Sequence, residues 1–149
     1  MKKKKGLIRA VVDTNLFVSG FFAGGGCTCL LQELWISGAF ELVVSEKILA
    51  EVKSTLCKPA IREKLFLIPG EEEELVDLIR EKAVTVTADL YGTGRITKDP
   101  RDNKFLACAL EGGARYIVSG DHHLQEIKHF HGIQIVDART FVQKLGGKC

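Results

Sequence analysis

Four acidic positions carry most of the chemistry in this 149-residue chain: Asp13, Glu51, Asp102 and Asp121. Asp13 ends an apolar run, 7–12, and is followed by a hydroxyl and an amide, Thr14 and Asn15. The other three stand near junctions of the same kind. Carboxylates gathered in one place repel and raise one another's proton affinity, and a divalent cation relieves the repulsion. An all-oxygen donor set selects Mg2+ or Mn2+ over zinc. Such a centre grips a phosphate, acidifies a bound water and stabilises charge on the leaving oxygen. The chemistry that suits these residues is metal-dependent hydrolysis of a phosphodiester.

For the acids to meet, the chain has to bring them to one edge. Residues 7–12 read as a buried strand, with the β-branched run typical of central parallel strands. Further strands are expected at 40–44, around Val84 and Val86, at 116–118 and at 133–136. Helical patterns run between them. One begins at Leu16, one covers 29–37, and one is capped by Ser45, buries Ile48, Leu49, Val52 and Leu56, and ends at Pro59. Others are expected over 60–67, over 71–82, after Asp99-Pro100, at 124–127 and over 138–145. The Gly24–Gly26 run lacks phosphate-loop spacing and reads as a connection, and 91–97 reads as a loop beside the site.

Strands alternating with helices predict an α/β fold: a three-layer α/β/α sandwich around a mostly parallel, about five-stranded sheet. In such sheets the ligand crevice lies outside the carboxyl ends of the strands. Asp13 ends the first strand, Asp121 follows the 116–118 strand, and Asp102 opens the helix leading into it. Glu51 lies about 9 Å along its helix from Ser45, at ~1.5 Å per residue, and can lean over the same edge. Each acid also has an ordinary alternative. Asp99, Asp102 and Asp121 suit helix caps, Glu51 borders a core face, and Asp13-Thr14-Asn15 suits an Asx-turn.

The bulk numbers set the frame. One domain, 1–149, is expected, with 1–6 as a flexible basic tail. Hydrophobic residues make up 46% and charged residues 27%, enough for a core without staples. No apolar run approaches the ~20 residues that span a bilayer. Asp13 and Asn15 interrupt the segment after Lys2–Lys5, so no signal peptide or membrane partner is read and a cytoplasmic location is expected. The five cysteines have no usual zinc spacing and read as reduced thiols without a disulfide framework. A net charge of +2 argues only weakly for a nucleic-acid partner. Lys98, Arg101 and Lys104 surround Asp102 and are candidates to meet substrate phosphates, the alternative being a solvated helix start. The four histidines read as surface residues.

Val11-Val12-Asp13-Thr14-Asn15 resembles the opening motif of PIN-domain nucleases. The stretch 45–52 resembles their second motif, 99–107 their third and 118–124 their fourth, in the family's order from about Ile8 to about Leu145. The nearest likeness is to prokaryotic PIN proteins described as toxins of toxin–antitoxin pairs. The resemblance implies an Mg2+- or Mn2+-dependent endoribonuclease with metal-binding acids at Asp13, Glu51, Asp102 and Asp121. It implies supporting roles for Asn15 and Ser119 and a peripheral one for Asp99. It also implies RNA as substrate, a cognate antitoxin as partner, and self-association as a dimer or larger assembly. Glu46 shares the second motif with Glu51, which leaves that position the least distinct.

Three other functions stay open on the residues alone. One is a non-catalytic RNA- or protein-binding module on the same fold, motivated by the modest net charge, with a housekeeping RNA-processing nuclease beside it. The third is a phosphatase or phosphoacceptor using Asp13 as nucleophile. Asn15 argues against it, because such sites usually place a second acid there.

Overall fold

Ala10, Val11 and Val12 point alternately to opposite sides of a strand, yet all three are fully buried. A strand covered on both sides requires helices on both faces of its sheet. The computed structural model describes residues 7–18, 26–87 and 100–147, with backbone alone at Pro100 and Arg101. Its elements run β1 (Arg9–Val12), α1 (Thr14–Leu16), α2 (Gly26–Ile36), β2 (Glu41–Ser45), α3 (Glu46–Leu56), α4 (Pro59–Lys64) and α5 (Glu71–Lys82). They continue with β3 (Val84–Val86), α6 (Pro100–Gly112), β4 (Tyr116–Val118), α7 (His122–Ile127), β5 (His129–Phe130), β6 (Ile133–Val136) and α8 (Ala138–Lys144).

The strands form one six-stranded sheet in the order β3-β2-β1-β4-β6-β5. All pairings are parallel except β5 with β6. The fold is therefore α/β, a mostly parallel sheet flanked by helices. From β1 the chain builds outward through β2 to β3, then returns to lay β4 on the other side of β1. The order reverses between β1 and β4, and that is where a crevice opens at the carboxyl ends of the strands. Val12 is in register with Val118 there, so Asp13 and Ser119 leave the sheet side by side.

α3 buries Ile48, Leu49, Val52 and Leu56, the helical stripe expected of it. Ser45 caps it, its hydroxyl accepting from the Ile48 amide at 3.3 Å. α6 crosses β1, β2, β3 and β4. It comes so close that a Cβ on Gly112 would lie 2.4 Å from Val43 Cγ1. At the opposite end of the chain Phe141 of α8 is fully buried and meets Phe40 and Tyr116 edge-on, at 5.1 and 5.4 Å between ring centroids.

The structure differs from the sequence expectations in three places. The sheet has a sixth strand, β5, a two-residue antiparallel edge closed on β6 by His131 and Gly132 at φ +46° and +82°. Positive φ at both turn residues is the tight hairpin geometry, but a strand this short leaves no alternation to read. Pro59 does not end α3, which stops at Leu56; it opens α4, where its missing N–H costs nothing. Cys27 is disulfide-bonded, so the thiols are not all reduced, while Cys29, Cys57 and Cys108 are free. A pairing made by tertiary proximity leaves no spacing motif. The 1–6 tail, the 91–97 loop and Asp99 lie outside the described residues. Among the described residues no helix is long and apolar enough to cross a membrane.

Candidate active site

β1 carries the chain into the crevice and ends on Asp13, whose amide still pairs with the sheet through Val118 O at 2.9 Å. The strand then turns into α1 with Asp13 as its cap: the Asn15 amide donates to Asp13 Oδ1 at 3.3 Å. The ordinary Asx reading is thus realised, and it leaves the second oxygen for other work. That oxygen, Oδ2, accepts from the Ser119 hydroxyl at 2.7 Å. Ser119 follows β4, is fully buried, and also accepts from the Asp121 amide at 3.0 Å. One hydroxyl therefore ties the ends of the two strands at the switch point. Asp121 caps α7 in turn, its Oδ1 accepting from the His123 amide at 3.0 Å.

Asp13 is 6% exposed, and its carboxyl is held above the ordinary value of 3.8. Burial is the main cause. The hydrogen bonds from Ser119 and Asn15 pull the other way, and the charges of Glu51 and Asp121 push it up further. Glu51 and Asp121 are thus brought within electrostatic reach of Asp13. Asp102 is buried, at 5% exposure, in the first turn of α6. Two residues further on, Lys104 forms an ion pair with Glu51, joining α6 to α3 at the cluster.

Lys104 is therefore turned to an acid of the cluster rather than outward to solvent. Lys98, Asp99 and the side chain of Arg101 lie outside the described residues. Asn15 is exposed, and its backbone N–H rather than its amide side chain makes the bond to Asp13. His122, His123, His129 and His131 are all exposed.

Two features had no signal in the sequence. Gln125 donates from its side chain to the Ser119 carbonyl at 2.7 Å, fixing the residue that bridges Asp13 and Asp121. Thr14 Oγ1 is buried with no hydrogen-bond partner among the described residues. An orphaned hydroxyl beside a buried acid fits a centre completed by a group from solution. The donors fit a hard divalent cation by type, being carboxylate oxygens. Among the described residues no three His, Cys, Asp or Glu side chains stand close enough together to hold an ion. The same region holds the Lys104–Glu51 ion pair.

The family model of the PIN domain matches residues 9–123, a span that contains all four acids. The chain belongs to the PIN-domain family. This is a family of nucleases. A protein of Methanocaldococcus jannaschii, itself uncharacterized, is 27% identical over 128 residues, covering 85% of this chain and 79% of the relative. Among solved structures, VapBC2 from Rickettsia felis, bound to a DNA fragment from its promoter, matches with a TM-score of 0.59. The match covers 86% of this chain and 97% of that one, and at 14% identity it speaks for the PIN fold.

Proposed function

We propose that this PIN protein is an endoribonuclease that depends on Mg2+ or Mn2+, with RNA as substrate and with Asp13, Glu51, Asp102 and Asp121 as the acids that hold the metal. The observation that carries the reading is Asp13: a buried carboxylate with raised proton affinity, facing the charges of two further acids. A fold rarely maintains that arrangement without a cation to relieve it. When bound, the metal supplies a water of lowered pKa and charge stabilisation at the phosphate.

The chain's own residues do the rest. Ser119 holds Asp13 Oδ2 and the Asp121 backbone in one frame, and Gln125 holds Ser119. The α1 cap fixes the other oxygen of Asp13. Positively charged side chains near the start of α6, Lys98, Arg101 and Lys104, are the groups to neutralise substrate phosphates. A buried, pre-oriented carboxylate avoids reorganisation when charge builds up on the phosphate. The likeness to the VapBC2 complex supports looking for an antitoxin as partner; self-association and a cytoplasmic location belong to the same proposal.

The Lys104–Glu51 ion pair favours a second reading, a binding module whose acids are neutralised internally. One experiment separates the two. RNA cleavage is assayed with Mn2+, with Mg2+ and with EDTA, for the wild type and for Asp13→Asn. Cleavage that needs metal and is lost in Asp13→Asn is expected. No metal-dependent cleavage by the wild type, or undiminished cleavage by the variant, sinks the nuclease assignment.

A further inference from the structure

We propose that Lys104 is a built-in counter-cation of the acid cluster, and that a divalent metal binds by displacing its ammonium group from Glu51. The inference rests on the metal reading above. Lys104 Nζ pairs with Glu51 Oε2, and the two side chains are only 20% and 35% exposed. This is not a pair of solvated side chains meeting on the surface. Glu51 in turn belongs to the cluster, because its charge reaches Asp13. Among the described residues the bonds to the Asp13 carboxylate come from neutral donors, the Ser119 hydroxyl and the Asn15 amide. They orient its charge without cancelling it. The ammonium of Lys104 supplies positive charge where the acids converge.

An ammonium and a divalent ion at one carboxylate repel each other, so each weakens the binding of the other, and the effect is reciprocal. Lys104 sits in the first half of α6, two residues beyond Asp102, with its Nζ 5.1 Å from the centroid of the Phe105 ring. The ammonium makes this ring contact while it is paired with Glu51. The displaced side chain stays at the crevice, on the helix already proposed to meet phosphates. Metal binding would then release a cation for the substrate phosphate at the moment the site becomes competent. Metal-free protein would present a cluster whose charge is offset at Glu51.

The test is Lys104→Met, which keeps the stem and drops the charge. Mn2+ binding is measured by isothermal titration on wild type and variant. The variant is expected to bind Mn2+ about tenfold more tightly, although its metal-free melting temperature falls. A merely structural lysine would lower the melting temperature without tightening the metal. Unchanged or weaker Mn2+ binding by a folded variant overturns the exchange and leaves the metal reading intact. No binding by the wild type overturns both. A second measurement needs no variant: acetylation of Lys104 in the native wild type, followed by mass spectrometry across an Mg2+ titration. Labelling is expected to rise severalfold as the ion binds, and flat labelling through a titration that saturates the site also overturns the exchange.

Discussion

Asp13 shows how a single side chain can be both an ordinary cap and the centre of the proposed site. Its folded proton affinity is raised, chiefly by burial, above the ordinary value of 3.8. The sign follows from linkage. Ionised Asp13 costs the fold stability at every pH above its raised pKa. That cost fades as pH falls through the raised value and is gone below the unfolded one. Metal-free Asp13→Asn should therefore be more stable than wild type at neutral pH, read as a higher melting temperature. The gap should narrow toward pH 4, as followed by denaturant unfolding in EDTA. Adding Mn2+ should reverse the order, because only the wild type then gains from binding.

Ser119 is the companion case. It donates to Asp13 and accepts from the Asp121 amide, so Ser119→Ala removes both bonds and orphans a partly buried N–H. A loss of roughly 1–3 kcal/mol of stability is expected. So is a drop in metal affinity of about 10- to 100-fold, as for groups that orient ligands. Titration calorimetry beside thermal melts would check both. At Cys108 burial pushes the thiol up to about 12, against a hydrogen bond shared with Ser45. In native protein at pH 8 the thiols of Cys29 and Cys57 should react with a disulfide reagent while Cys108 stays silent until the chain is unfolded.

At the scale of elements, the helices and strands written in local chemistry were legible and those written in tertiary contact were not. α5 was read with both ends correct, 71–82, because acids crowd its first turn and Arg80 and Lys82 its last. β4 and β6 were read to the residue because each is a short β-branched run between turn signals. β5 was missed because two residues carry no period. The acids were legible as candidates from their junctions, and Ser119 only through the family's fourth motif. The partners Lys104 and Gln125 were not legible, since their roles depend on which helix ends meet. Gly112 belongs with them: a glycine near a helix end reads as a stop, yet here it also lets α6 lie against β2. Gly112→Ala should gain up to ~1 kcal/mol of helix propensity and still lose about 1–3 kcal/mol by overpacking Val43. Combined with Val43→Ala, the two losses should sum to less than their separate values in denaturant melts. Simple additivity would mean that the close approach is not what constrains position 112.

For the molecule as a whole, the stretch that carries the proposed metal-binding acids and the part that sustains it are not the same. The family match ends at residue 123, after the last of the four acids, while β5, β6 and α8 follow it. Those later elements are tied directly into the site. β6 pairs with the whole of β4, and the Ser119 amide donates to Val136 O at 2.9 Å, so β6 sets the position of the residue that holds Asp13. α8 delivers Phe141 into the core against Phe40 and Tyr116, and Val142 beside it is fully buried. Removing them would expose the edge of β4, a central strand with no polar residue along it, and open a cavity the size of a phenylalanine. A chain cut after Lys128 keeps all four acids and every family motif. It is nevertheless expected to lose cooperative melting by circular dichroism, to aggregate, and to show no Mn2+-dependent stabilisation. A truncated chain that still melts cooperatively and still answers to Mn2+ would show that the strands of the switch point hold the acids unaided.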